Sequence, residues 1–529
     1  MAIESGTATS LLDETRVSSR WLATLAERVP ATGDGSVTVR APATDEPLGT
    51  VPVCAESDVD AAVERARVAQ REWAETPPAE RAAVLERFGD SVLSKRARLL
   101  DLLQLETGKS RRHGVEETLE VPLNCMYYAD RGPDLLADEE RAGAVPGAAT
   151  ATVTYEPDGV VGVITPWNYP VSLAMSEVVP ALMAGNGVVL KPDEQTPFVA
   201  LALAELLERA GLPEGLLAVV TGDPEEVGPA LIERVDHVDF TGSTATGRVV
   251  AEQAGRNLVE ASLELGGNNP LVVLDDADVD VAARGAAQGA FANAGQLCLA
   301  PERVYVHESM YDEFLDAFVG ATRQLTLGTD FDYEDDVGSL VNGDQLARVE
   351  RHVDDAVDDG ASILTGGRHR PDVGPFCYEP TILTDVDPDS TVACEETFGP
   401  VVAVTPVPDT AAAIEAANDS PYGLNASVWT GDRERGERVA REIDCGTVCV
   451  NDAYQVGWAA LDAPMGGFGD SGLGRRHGPE GIRRFLEART VATSRIGPFD
   501  TPPAVPTRWT VRGLVAVTHV QRAIQQWFR

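Results

Sequence analysis

A chain of 529 residues with 43% hydrophobic content can bury a large core in more than one lobe, which excludes a largely disordered protein. It carries 84 acidic residues against 43 basic ones, a formal charge of -41, so phosphate backbones and anionic membranes are repelled and nucleic acid is excluded as a partner. Only three of the basic residues are lysines (Lys95, Lys109 and Lys191), and this acidic, lysine-poor composition resembles proteins of salt-accumulating halophiles, whose carboxylates hold water while salt screens their repulsion.

The N-terminus, MAIESGTATSLLDETR, is polar and has no apolar signal region, and no run of eighteen apolar residues occurs, so a cytoplasmic protein without a membrane span is expected. Residues 56–107 then read as helices, because ESDVDAAVERARVAQREWA and ERAAVLERFGDSVLSKRARLLDLLQLETG place apolar residues three and four apart. From Ala151 the texture changes. The runs TVTYEP, VVGVIT, NGVVLKP, LLAVVTG and HVDFTG alternate with helical stretches, the pattern of a doubly wound parallel sheet. A second series follows Glu264, with NPLVVLD, RVYVHE, the helix YDEFLDAFVGATRQL, GASILTGG and VVAVTPV, so two α/β lobes are expected to meet near residues 264–270. In the tail, Leu514, Val517, Ile524 and Trp527 share one helical face interrupted by Arg512, His519 and Arg522, which reads as a helix docked on the body or on another subunit rather than a membrane-surface helix.

Three segments could carry chemistry. After the strand-like VDF, Gly242-Ser243-Thr-Ala-Thr-Gly247 enters a helix whose N–H groups could face a phosphate, although Arg248 and Val249 exclude a P-loop. Cys298, in NAGQLCLAPERVYV, sits at a helix-to-strand transition and, taken alone, reads as a buried inert thiol. Glu264, in SLELGGNNP, emerges from an apolar segment where burial would raise its pKa toward that of a general base, though alone it reads equally as an exposed turn residue. The seven cysteines form no CxxC pair, which fits a reducing compartment, and the scattered histidines show no ligand spacing, so no metal is expected.

The ensemble decides between these readings. Pro166-Trp-Asn-Tyr-Pro170, Lys191-Pro-Asp-Glu194, Phe240-Thr-Gly-Ser-Thr-Ala-Thr-Gly247, Glu264-Leu-Gly-Gly267, Gly295-Gln-Leu-Cys298 and Glu395-Glu-Thr-Phe-Gly-Pro400 occur in order, and together they resemble the aldehyde dehydrogenase superfamily over roughly residues 35–495. Two departures stand out: Asn268 occupies a position where many relatives have lysine, and Gly469-Asp470 replaces a common Tyr/Phe-Lys pair. The resemblance is closest to succinate-semialdehyde dehydrogenases, chiefly through Asp470-Ser-Gly-Leu-Gly-Arg-Arg-His-Gly-Pro-Glu480-Gly and the apolar tail.

That resemblance implies two Rossmann-like lobes and a small antiparallel oligomerisation projection. The implied cofactor-binding domain is 1–137 with 157–264, the catalytic domain 265–455, the projection 138–156 with 488–498, and the tail 499–529. It implies Cys298 as nucleophile, Glu264 as the base that activates water, and Asn168 with the Cys298 N–H as oxyanion donors. Trp167, Gly242, Ser243 and Gly247 belong to the implied cofactor site, with Lys191 and Glu194 at the adenosine ribose and Glu396 and Phe398 at the nicotinamide. NAD is expected to be preferred over NADP, because the Glu194 carboxylate would face a 2'-phosphate. The implied function is oxidation of an aldehyde, foremost succinate semialdehyde, by a homo-oligomer (dimer or tetramer); Trp458 and the loop GWAALDAP are expected at the substrate entrance. A CoA-acylating enzyme commonly lacks the glutamate found at 264, and a thiol hydrolase would need a histidine beside Cys298.

Overall fold

The computed structural model describes residues 9–143, 147–495, 497 and 505–527. The chain separates into two compact units, residues 1–135 with 157–485, and residues 136–156 with 486–529.

The first unit is built on two sheets. The runs VVGVIT, NGVVLKP, LLAVVTG and HVDFTG join two strands not read from the sequence in a six-stranded sheet, in the order Gly472–Leu473, Glu260–Glu264, His237–Thr241, Val160–Thr165, Gly187–Pro192, Leu217–Val219, whereas TVTYEP, expected in the same series, lies in a separate antiparallel sheet. Every pair is parallel except the returning Gly472–Leu473, which runs antiparallel to Glu260–Glu264. Val160–Thr165 is buried almost throughout because helices cover both faces, which is why its β-branched residues, interrupted only by Gly162, do not alternate with polar ones. The chain winds outward from this strand in both directions, so the topological switch lies between Val160–Thr165 and His237–Thr241, where α/β sheets characteristically open a binding crevice. The loop carrying Trp167 and Asn168 leaves the first of these strands, and the Gly242–Ser243 turn leaves the second.

The second sheet has seven strands in the order Ser362–Thr365, Thr381–Thr384, Val401–Val407, Pro301–His307, Asn269–Val273, Asn425–Trp429, Thr447–Val450, with only Ser362–Thr365 antiparallel. Its core packs the helix Val279–Ala290 and the rings of Phe291, Phe314 and Phe318 against Val304, Val306 and Val402. Two parallel lobes are thus present as expected.

The helical region 56–107 resolves into Glu56–Glu75 and Pro78–Thr107, separated at Thr76 and Pro77, with Pro78 at the first helical position, where its fixed φ suits a helix start. The structure adds a helix, Arg111–Leu135, that apolar periodicity does not mark because Pro122 and Pro133 lie inside it. Two buried carboxylates tie this region to the first lobe. Glu106 accepts from the N–H groups of Phe198 and Val199, both at 2.7 Å, at the start of the helix Pro197–Arg209. Glu117 accepts from Val171 at 2.6 Å and Ser172 at 3.3 Å at the start of Ser172–Ala184. Each satisfies N–H donors that a helix N-terminus leaves free.

In the second unit, Glu139–Ala142 pairs antiparallel with Ala149–Pro157, which borders Leu486–Ser494, a strand exposed along nearly its whole length. The tail helix is Thr507–Trp527, and the residues of the face expected to dock, Leu514, Val517, Ile524 and Trp527, are all exposed. No helix among the described residues is long and apolar enough to cross a membrane.

Candidate active site

The Cys298 loop begins where the helix Val279–Ala290 gives way to a short 3-10 turn, Ala292–Gly295, before the strand Pro301–His307. Asn293, Ala294 and Gly295 all take positive φ, at 50°, 55° and 71°. A β-carbon on Gly295 would lie 2.0 Å from the Gly399 carbonyl oxygen, so only glycine lets these two backbones meet. The turn is held by Gln296, which accepts from the Val341 N–H at 2.9 Å and donates to the Asn293 carbonyl at 3.0 Å. Cys298 keeps partial exposure at its end.

Cys298 and Glu264 line the same cleft, of about 390 Å³, together with Thr241, Leu265, Trp458 and Arg476. Burial pushes the Cys298 thiol up to about 12; Arg476 acts against the rise, and the Glu396 and Glu264 carboxylates add to it. Burial likewise lifts Glu264 to about 7, opposed by Arg476 and Arg475. Arg476 is itself buried. Its Nε lies 4.0 Å from Glu264, while Nη2 lies 3.0 Å from Glu177 and donates to Thr241 at 3.1 Å.

Asn168 is held from both sides. Its side-chain amide donates to the Gln296 carbonyl at 3.1 Å, in the Cys298 turn, and its own carbonyl accepts from Lys109 Nζ at 2.8 Å and Asn293 at 3.1 Å. An amide nitrogen carries two hydrogens, so one remains for a ligand oxygen. Lys109 is fully buried, paired with Glu117, and rests over the Tyr169 ring at 3.8 Å.

The remaining predicted residues lie around the opening of the first sheet. The Gly242 N–H donates to the Glu264 carbonyl at 3.1 Å, which joins the glycine turn to the strand of the carboxylate. Ser243 caps the helix Thr244–Asn257, and a β-carbon on Gly247 would lie 2.3 Å from Leu265, so glycine lets the helix seat against the cleft wall. Trp167 meets Phe398 edge-on at 5.6 Å between ring centroids. Glu396 accepts from the Gly267 N–H at 3.0 Å, and burial raises it to about 7. Behind this turn the buried Glu302 accepts from Thr397 at 2.7 Å and Phe398 at 2.8 Å. Lys191 is 3% exposed; burial depresses its pKa against the pull of Asp193, Glu194 and Asp223, and its ammonium makes no ion pair among the described residues. A desolvated cation without an ion-pair partner among the described residues, the glycine turn at a helix N-terminus and an aromatic pair fit the ribose, phosphate and ring of a dinucleotide.

Lys109 and Glu302 carry no motif signal, and the 470–480 segment that contains Arg476 assigns it no role; only the fold brings the three to the site. The departures from the common pattern are also accommodated. Asn268 donates to the Ala393 carbonyl at 2.9 Å, and Asp470 pairs with Arg248 at 2.6 Å. The structure also brings Asp158, His237 and Glu260 within 4.8 Å of one another, a grouping hidden in the sequence, at the opposite strand ends from the cleft.

From the cleft a second cavity of about 640 Å³ opens outward, lined by Glu116, Tyr169, Tyr454, Leu119, Leu123 and Trp458, with Ala459 and Leu461 of the loop expected at the entrance. Glu120 and Trp458 border both spaces. Both oxygens of Glu116 are engaged, accepting from Tyr454 at 3.0 Å and Gln455 at 2.8 Å.

Comparison with known proteins agrees with this arrangement. Residues 29–491 match the Aldehyde dehydrogenase family. A Mycobacterium tuberculosis protein provisionally named as an NADP(+)-linked succinate-semialdehyde dehydrogenase is 50% identical over 463 residues, covering 88% of this chain and 89% of its own length. Among solved structures, an E. coli NADP-dependent enzyme is 36% identical with a TM-score of 0.84, covering 88% of this chain and 96% of its own. A betaine aldehyde dehydrogenase of Staphylococcus aureus in complex with NAD+ is 32% identical with a TM-score of 0.86, covering 92% and 98%. The chain belongs to the aldehyde dehydrogenase family, whose members oxidise aldehydes with a nicotinamide cofactor.

Proposed function

We propose that the protein oxidises succinate semialdehyde to succinate at Cys298, with 157–264 and the preceding 1–137 as cofactor-binding domain and 265–455 as catalytic domain. The observation that carries the chemistry is the single cleft shared by a thiol and a carboxylate lifted to about 7. At neutral pH the thiol rests protonated, and Glu264 is the titratable acceptor beside it. The sulfur, once ionised, attacks the aldehyde carbon, and the oxygen that gains charge meets the free Asn168 N–H and the Cys298 backbone N–H. When bound, the nicotinamide supplies the hydride acceptor. Water then cleaves the Cys298 thioester, with Glu264 taking its proton. Glu396, Phe398 and Trp167 hold the nicotinamide end, Lys191 and Glu194 the adenosine ribose, and Gly242, Ser243 and Gly247 the turn beneath the phosphates.

The substrate rests on the relatives' names and the 470–480 segment. In molar KCl, which suits a chain of charge -41, kcat/KM for succinate semialdehyde is expected to exceed that for butanal by about tenfold or more, since a paired distal carboxylate adds a charge-assisted contact. Nicotinamide reduction followed with both aldehydes checks this; a preference for butanal removes the substrate and leaves the reaction standing.

NAD is proposed as the better cofactor, although the Mycobacterium relative's name carries NADP(+). Asp193, Glu194 and Asp223 all act on Lys191, so a 2'-phosphate would enter a site where carboxylates outnumber the cation. Glu194→Ser is expected to raise kcat/KM for NADP by about tenfold, worth about 1.4 kcal/mol. An unchanged NADP/NAD ratio would mean that Glu194 does not discriminate.

The free state of all seven cysteines supports a cytoplasmic location. The exposed strand Leu486–Ser494 supports joining of subunits, as a dimer or tetramer, through the projection of 138–156 with 488–498.

A further inference from the structure

We propose that His477 anchors the distal carboxylate of the substrate, an inference that rests on the semialdehyde reading above. His477 lines the same cleft as Cys298, so its ring borders the space that a chain bound at the sulfur extends into. The residue is 3% exposed and takes φ 60°, ψ 168°, a backbone region open almost solely to glycine. Surrounding structure therefore forces a side chain where glycine would be unstrained. Its Nδ1 is buried without a hydrogen-bond partner among the described residues, while Nε2 lies 3.6 Å from Glu120 Oε1. A ring nitrogen that carries hydrogen donates, so Glu120 can hold the Nε2 side of the ring while Nδ1 is left for a substrate oxygen.

The other cation on the cleft wall is already committed. Arg476 lies against Glu177, which Arg484 also pairs, and 4.0 Å from Glu264, and its Nη2 donates to Thr241, so its guanidinium is engaged within the wall. In the outer cavity both oxygens of Glu116 are occupied, and its aromatic and leucine lining offers no cation. Glu120 opposes an incoming carboxylate, but its Oε1 already lies on the Nε2 side of the ring, and the ring atom left without a partner among the described residues is Nδ1. His477 is therefore placed to distinguish a carboxylate tail from a methyl tail.

The test is a comparison of kcat and KM for succinate semialdehyde and for butanal in wild type and His477→Gly, with melting temperatures alongside. Glycine accepts this backbone conformation, so the variant is expected to melt no lower than wild type. KM for succinate semialdehyde is expected to rise about 30-fold, with kcat/KM for butanal within about threefold of wild type, the signature of a lost binding contact. An unchanged KM for succinate semialdehyde, or equal losses on both aldehydes, overturns the anchor while wild-type preference for the semialdehyde still stands. A wild-type enzyme that prefers butanal overturns the substrate reading itself, before any variant is compared.

Discussion

Cys298→Ala is expected to lower aldehyde oxidation by on the order of 10⁴-fold or more while leaving the dissociation constant for NAD within about twofold. The separation follows from the fold. The sulfur sits on the turn leading to Pro301–His307 in the second sheet, whereas Lys191 lies near the end of one strand of the first and Gly242 and Ser243 follow another. The loss should be near complete because no other thiol lines the cleft: Cys449 is buried beside Asn425, with Sγ 4.0 Å from its Oδ1. Cys449→Ala therefore serves as the control and should change turnover little. Titration calorimetry with NAD and steady-state nicotinamide reduction check the pair. Retention of more than a few per cent of turnover by Cys298→Ala, or silencing by Cys449→Ala, would mean that the wrong sulfur has been named.

The architecture was legible because it rests on local signals. Buried parallel strands read as unbroken β-branched runs, and both sheets appear where those runs fall. The two-residue strand Gly472–Leu473 could not be read, since it exists only by pairing with Leu263 and Glu264 some two hundred residues earlier. The same holds for the site. Cys298, Glu264 and Asn168 lie in motifs whose roles could be read, but no motif says which charges set their behaviour. Arg476 reaches Glu264 from the returning segment, and Lys109 reaches Asn168 from the end of a helix. Composition gave one unexpected pointer to function. Of three lysines only Lys95 is exposed; Lys109 and Lys191 are buried at the candidate site, where a chain otherwise stripped of lysine has kept it.

Glu264→Gln is expected to separate the two halves of the reaction. An amide accepts no proton from water, so thioester hydrolysis should slow by on the order of 10² to 10³-fold, while a single burst of reduced cofactor per active site survives. The pH dependence provides a second reading. Burial raises Glu264 to about 7, and Arg476 holds it below where burial alone would place it. Only the ionised carboxylate can take a proton, so hydrolysis in the wild type should climb as pH rises through about 7 and level off above it. That limb should vanish in Glu264→Gln. It should move to higher pH in Arg476→Gln, where the stabilising guanidinium is gone and the proton is held more tightly. Rapid mixing followed by steady-state turnover across pH 5 to 9 measures all three. Equal losses in burst and steady state would make Glu264 structural. A limb that persists at pH 7 in Glu264→Gln would assign the titration to another group, with Glu396, also raised to about 7 and bound to Gly267, the first to examine.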